Sequence, residues 1–254
     1  MPGIRKQLPF FMLGLLVLTM VFVSIGGVFG RILVYAAGMS AAHLLFPSVT
    51  TIVGALVTCL IWLIFNHFYL RITVGLHGFK RQQLVLLLPM VVILIGDSTL
   101  PTQFDWTGTN VLLALGIGLA VGMLEEYVFR GLLVNGLRQL FQVTPLLAAL
   151  ASGAIFGLAH LTNLLGNSNS LVSTCLQVIY AFAGGFFLAI IYIISGSLWL
   201  PILAHAVVTA FDQIAFGTMS NQASSGIWTT VLYFGIFTGL GFWLWARKIR
   251  RQVI

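Results

Sequence analysis

Long apolar stretches separated by short polar segments dominate the sequence. A helix that crosses a bilayer needs about 20 mostly apolar residues, and eight stretches meet or approach this length. They run roughly over residues 8–29, 49–70, 84–100, 110–137, 145–164, 171–194, 198–217 and 227–246. The pattern therefore predicts an all-α fold, a polytopic transmembrane helical bundle of about eight helices.

The stretches belong to one unit. No internal repeat, low-complexity tract or long polar loop interrupts residues 1–254, which predicts a single integral-membrane domain. The first stretch follows Arg5 and Lys6, as the apolar part of a cleaved signal peptide would. That part is typically about 7 to 15 residues long, and this one is longer, so we interpret it as a retained helix.

Composition supports the membrane assignment and argues against a soluble class. Hydrophobic residues make up 59% of the chain and charged residues 7%, with a mean hydropathy of +1.07, whereas a soluble domain carries about 25% charge. The two cysteines, Cys59 and Cys175, lie within apolar stretches and indicate neither a disulfide framework nor a cysteine metal site.

The net charge of +7 is distributed as in a membrane protein. Basic residues sit in short clusters between apolar stretches, so we expect the bilayer as partner and no nucleic acid. Cytoplasmic loops carry an excess of Lys and Arg, which predicts cytoplasmic termini and a multi-pass protein of the cell membrane. The cytoplasmic set is Arg5, Lys6, Arg71, Lys80, Arg81, Arg138, Arg247, Lys248, Arg250 and Arg251.

Three charges interrupt the fourth stretch. Glu125 and Glu126, the only glutamates, are followed by Arg130. A charge at bilayer depth costs about 2.5–3.5 kcal/mol on insertion scales and usually marks function. Residues four apart share a helix face, so Glu126 and Arg130 are predicted to pair. Glu125 lies about 100° away, on the face of small residues that allow close helix approach. A purely structural ion cluster is the alternative.

Those small residues are Gly118 and Gly122. A second polar site lies in the fifth stretch, where His160 shares a face with Gly153 and Gly157, and Asn163 follows on the same side. A close-packed face would direct the histidine into the bundle. A hydrogen-bonded core histidine is the alternative.

The seventh stretch carries a polar stripe. His205 is followed at four and seven residues by Thr209 and Asp212, on one face of a helix. The alternative to a catalytic role is a stripe that only forms hydrogen bonds between helices. At 1.5 Å per residue, Glu125, His160 and His205 have compatible depths, in a site that we expect to open towards the cytoplasm.

A carboxylate with two imidazoles suits hydrolysis of an amide. The carboxylate can act as a general base towards water, one imidazole can orient that water, and the other can donate to a developing oxyanion. Glu125, His160 and His205 could instead hold zinc with an open position for water. The zinc-protease motif His-Glu-x-x-His is absent, so the metal alternative depends on ligand type alone.

These residues resemble a known family. Glu125-Glu126-x-x-x-Arg130, then Phe156-x-x-x-His160, then His205 in a later helix are similar to the motifs of the CPBP (CAAX-processing, bacteriocin self-protection or Abi) intramembrane proteases. The motif-bearing core covers about residues 110–217. The resemblance implies an endopeptidase for membrane-associated or prenylated peptides, in which Glu125 and His160 activate water and His205 stabilises the oxyanion. Such a glutamate mechanism requires no cofactor, and zinc remains the alternative.

The sequence departs from the family at one position. Members usually carry asparagine or aspartate four residues after the last histidine, where this chain has Thr209. Asp212, one turn further, is a supporting candidate, although an anion would not stabilise an oxyanion. The departure leaves a second function open: a catalytically impaired relative that binds and regulates a membrane partner. A proton-coupled transporter is a third class, which the lack of an inverted repeat disfavours.

Overall fold

The computed structural model describes residues 7–98, 104–164, 170–216 and 226–249. Helices account for 84% of these residues, and no strand occurs among them. The terminal basic residues Arg5, Lys6, Arg250 and Arg251 lie outside the described ranges. In chain order, α1 to α8 are Leu8–Ala36, Phe46–Leu70, Met90–Ser98, Gly108–Gln139, Pro145–Leu164, Leu171–Ser195, Trp199–Phe216 and Ile227–Lys248. The predicted helical membrane bundle is confirmed.

The number of long helices is smaller than predicted. Within the described ranges, six are long and apolar enough to cross a membrane, namely α1, α2, α4, α5, α6 and α8. The helix α7 is apolar but shorter. Seven of the eight predicted stretches thus correspond to continuous helical segments.

The remaining stretch, 84–100, is not one helix. Its first part belongs to a 3₁₀ turn over Arg81–Leu87, and α3 begins only at Met90. Pro89 lies between the two pieces. Proline lacks the N–H that an α-helix interior needs and its ring clashes with the preceding turn, so the apolar run breaks there.

The helix α4 occupies the centre of the bundle. It packs against α2, α5 and α7, and its residues from Tyr127 to Val134 are all buried. This buried stretch is wound as a π-helix, a geometry that is rare and is frequent at functional sites. Glu125 and Glu126 therefore directly precede this buried stretch, and Arg130 lies within it.

Close approach of α4 and α7 depends on two glycines. A Cβ added to Gly118 would lie 2.3 Å from the backbone oxygen of Ala206, and one added to Gly122 would lie 3.2 Å from that of Ile202. The order of these contacts shows that the two helices run antiparallel. The predicted small-residue face of α4 is confirmed, and the helix that packs against it is α7.

An extended stretch after α2, residues 71–80, is fixed to the turn between α6 and α7. The N–H of Gly75 donates to the Tyr192 hydroxyl at 3.0 Å, and Gly75 accepts from the N–H of Leu198 at 2.8 Å. The Ser197 hydroxyl donates to the His77 carbonyl at 2.6 Å. We name this stretch the 71–80 segment. It ties the end of α2 to the helices that carry the polar site.

Candidate active site

The centre of the polar cluster is an ion pair within α4. A terminal guanidinium nitrogen of Arg130 donates to Glu126 Oε1 at 2.7 Å, and neither side chain is exposed. The predicted pairing across one helical turn is thus present. Because the two buried charges are opposite and paired, the pair carries no free charge into the apolar core. Glu126 Oε2 is buried and makes no hydrogen bond to the described residues.

His205 extends this pair across the interface with α7. Its Nδ1–H donates to Glu126 Oε1 at 2.8 Å, so one carboxylate oxygen accepts from both Arg130 and His205. The sequence predicted Glu126 as the partner of Arg130 only, and this second role was missed. The glycine face of α4 indicated a partner helix, but helical periodicity does not identify which residue of that helix comes opposite.

Glu125 differs from Glu126 in exposure and in its partner. Its side chain is 32% exposed, compared with 15% for His205 and none for Glu126. Glu125 Oε2 lies 3.5 Å from His205 Nε2. Because Nδ1 of His205 donates to Glu126, its other ring nitrogen, Nε2, is the one that faces Glu125. Glu125 is therefore a reachable carboxylate beside an imidazole of fixed orientation.

His160 lies at the junction where α5 changes from α to 3₁₀ winding. Its Nδ1–H donates to the Phe156 carbonyl of the preceding turn at 2.9 Å, which leaves Nε2 for an external partner. Within the described residues, no hydrogen bond joins it to Glu125. A Cβ added to Gly157 would lie 2.7 Å from the Val178 backbone oxygen, so the glycine face of α5 packs on α6.

The supporting residues are distributed around this centre. The Asn163 amide donates to Gln177 of α6 at 2.8 Å, so it is directed towards α6. Thr209 and Asp212 are half-buried on α7, one and two turns beyond His205. Among the members of the predicted stripe, His205 supplies the contacts with the two glutamates.

The structure does not arrange the predicted residues as a metal site. Within the described ranges, no group of three or more His, Cys, Asp and Glu side chains could hold a metal ion. Glu125 and His205 are neighbours, and the bond from Nδ1 of His160 to its own helix leaves Nε2 as the ring nitrogen that could meet a ligand. The zinc alternative for Glu125, His160 and His205 therefore stays a prediction without support from these contacts.

The comparison with known protein families gives a match in the part of the chain that carries these polar residues. Residues 107–211 match the model of a family described as Type II CAAX prenyl endopeptidase Rce1-like. The match runs from the start of α4 into α7, and it includes Glu125, Glu126, Arg130, His160 and His205. Searches of curated proteins and of solved structures return no match.

Proposed function

We propose that this chain is an intramembrane endopeptidase in which Glu125 activates water, on the basis of the match of residues 107–211 to the type II CAAX prenyl endopeptidase family. The family resemblance inferred from the motifs is confirmed by this match. The matched family is one of intramembrane proteases, with membrane-associated or prenylated peptides as the substrate class. The glutamate mechanism is the further step that the contacts of Glu125 support.

One observation carries this mechanism: the partly exposed Glu125 carboxylate faces an imidazole that is itself held by a buried carboxylate. Glu126 fixes the ring of His205 through Nδ1 at 2.8 Å, and Glu125 lies 3.5 Å from Nε2. Such an arrangement divides the work between two adjacent glutamates. Glu126 orients the imidazole, and Glu125 remains available to a water molecule.

The reaction then proceeds as a base-assisted addition. Glu125 takes a proton from water while the water oxygen bonds to the scissile carbonyl carbon, and the carbonyl electron pair moves to its oxygen. The protonated Nε2 of His205 donates to that oxyanion, while His160 orients the water through its Nε2. When the tetrahedral species collapses, the C–N bond breaks, and the proton held by Glu125 passes to the leaving amine.

We propose that the site serves membrane-associated or prenylated peptides from the cytoplasmic side of the cell membrane. Six long apolar helices support a multi-pass membrane protein. The orientation is supported by the clustering of basic residues. Arg71, Lys80, Arg138 and Lys248 follow or flank the ends of α2, α4 and α8, and that end of the bundle is the one predicted to be cytoplasmic.

A cleavage assay tests the proposal. The purified protein is incubated with a panel of short membrane peptides and prenylated CAAX peptides, and wild type is compared with Glu125→Gln. The substitution should lower kcat by about 10²–10⁴-fold, while Asp105→Asn, which removes the exposed carboxylate of the loop before α4, should leave it unchanged. Cleavage that survives Glu125→Gln would refute Glu125 as the base. Activity that persists with a chelator would support chemistry without a metal.

A catalytically impaired regulator is the second candidate, because Thr209 replaces the usual asparagine or aspartate. In that case the protein would bind a membrane peptide and return it intact. Equilibrium binding without cleavage, for every peptide of the panel, would support this reading and refute the protease.

A further inference from the structure

Phe156 contacts three residues of the site. The plane of its ring is nearly perpendicular to the rings of His160 and His205, with centroid distances of 4.9 and 5.9 Å and interplanar angles of 82° and 84°. The Arg130 guanidinium lies over the ring face, 4.5 Å from the centroid. The three side chains come from α4, α5 and α7, and the ring is buried among them.

These contacts compensate for hydrogen bonds that the cluster lacks. Two nitrogens of Arg130, Nε and Nη2, are buried and have no hydrogen-bond partner among the residues that the structure describes. An aromatic face attracts a cation, by about 2 kcal/mol when both are removed from water. The ring of Phe156 therefore holds the guanidinium in the orientation in which its other terminal nitrogen meets Glu126.

Phe156 is itself held by Gly185 of α6. A Cβ added to Gly185 would lie 2.9 Å from Phe156 Cδ1 and 3.0 Å from Nη2 of Arg130. Only a residue without a side chain leaves this space. The neighbouring Gly184 has no atom within 4 Å of an added Cβ, so the requirement is specific to one position of the helix.

We propose that Phe156 is a positioning residue that sets His160 and His205 at their working distance around Glu125, with Gly185 as its support. The inference rests on the proposed endopeptidase function. Phe156 does not touch the reacting atoms. It connects His160, which has no hydrogen bond to the glutamates in the described residues, with the Glu126–Arg130–His205 group, through the contacts of one ring with two imidazoles and a guanidinium.

Activity measurements separate positioning from substrate binding. Phe156→Leu keeps an apolar side chain but removes the ring, and it should lower kcat by about 10- to 100-fold with KM changed by less than about 2-fold. Phe156→Tyr keeps the ring and should restore most of kcat. The control Phe234→Leu, at a half-exposed ring of α8 stacked on Phe182, should leave kcat unchanged.

The two glycines form a matched pair. Gly185→Ala should lower kcat in the manner of Phe156→Leu, because the new methyl group displaces both the Phe156 ring and the guanidinium. Gly184→Ala adds the same methyl group to open space and should have no effect. Equal effects of the two substitutions would overturn the supporting role of Gly185.

A spectroscopic measurement tests the positioning role of Phe156 independently of catalysis. In protein labelled with ¹⁵N and ¹³C at histidine, the Phe156 ring current should shift the ring signals of His160 and His205. Phe156→Leu should move both sets of signals, and Phe234→Leu should move neither.

Each outcome has a separate meaning. Unchanged histidine signals in Phe156→Leu, or full kcat in that variant while Glu125→Gln is inactive, would overturn the role of Phe156 and leave the endopeptidase intact. If wild type cleaves no peptide, the proposed function fails. The catalytic part of the Phe156 proposal fails with it, and the histidine signals alone then decide whether Phe156 positions the two rings.

Discussion

Glu126 and His205 share a hydrogen bond of 2.8 Å that joins α4 to α7. The same carboxylate oxygen accepts from Arg130 at 2.7 Å. From the sequence we predicted two independent roles, an ion pair of Glu126 with Arg130 and a catalytic Glu125. In the structure the two roles are connected, because the Glu126 carboxylate also holds the imidazole of His205 next to Glu125. Changes to the ion pair should therefore affect both stability and chemistry.

Substituting one partner of the Glu126–Arg130 ion pair should destabilise the protein more than substituting both partners. Glu126→Gln leaves the buried Arg130 without an anion, and we expect a loss of about 3–5 kcal/mol in the free energy of unfolding. The double substitution Glu126→Gln with Arg130→Met should recover much of this loss, since no unpaired charge remains. Unfolding in detergent micelles measures both.

Cleavage should not recover with stability in that double variant, because His205 still lacks its carboxylate partner. Arg138→Met is the control, because Arg138 is exposed at the end of α4, where substitutions usually change stability by less than about 0.5 kcal/mol. Full cleavage by the double variant would show that Glu126 does not position His205.

The distance between α4 and α7 should respond to one methyl group. Gly118→Ala places a carbon 2.3 Å from the Ala206 backbone oxygen, so the helices must separate, at a cost of about 1–3 kcal/mol. Cleavage should fall as the glutamates move away from His205. In the control Gly116→Ala, the new carbon meets the terminal methyl group of Ile52, which can rotate aside. Equal losses in both variants would contradict the close contact.

Thr209 should limit the rate of cleavage. If this position assists the oxyanion, Thr209→Asn should raise kcat, because an amide reaches further than a hydroxyl, and Thr209→Val should lower it by about 10-fold or more. Steady-state kinetics on a prenylated peptide measures both variants. Identical kcat values for wild type, asparagine and valine would exclude Thr209 from the site.

The 71–80 segment should tolerate a side chain at one glycine and not at another. A Cβ added to Gly75 would lie 2.1 Å from the backbone oxygen of Gly196, whereas one added to Gly78 meets nothing within 4 Å. Gly75→Ala should reduce the free energy of unfolding by about 1–3 kcal/mol, and Gly78→Ala should leave it nearly unchanged. A destabilised Gly78→Ala would argue against the contact with the α6–α7 turn.

Features that depend on one helix were predictable from the sequence. The apolar stretches located seven of the helices, the four-residue spacing identified the Glu126–Arg130 pair, and glycines marked the face of α4 that meets α7. The exception was 84–100, where hydropathy alone predicted a span and the local effect of Pro89 on the backbone divided it.

Contacts that join two helices were harder to predict from the sequence. The bond from His205 to Glu126 and the position of Phe156 between His160 and Arg130 depend on the relative rotation of three helices, which the periodicity of each does not determine. The contacts of the 71–80 segment are made largely by its backbone, so no residue pattern marks them. The fold class was thus predictable from the sequence, whereas the contacts between helices within the site could be seen only in the structure.

The 71–80 segment also has a consequence for the order in which the chain folds. Its hydrogen bonds to Tyr192 and Ser197 span 117 and 120 residues, so these partners do not exist when α2 has just been synthesised. Contacts of such separation form late, since a long loop must close before they contribute free energy. Because α7 follows directly after Ser197, closure of this segment and arrival of His205 beside the glutamates belong to the same late stage. A chain interrupted after Ser197 would lack both the imidazole and the Leu198 N–H that donates to the Gly75 carbonyl, so the site and the 71–80 segment are completed by the same part of the chain.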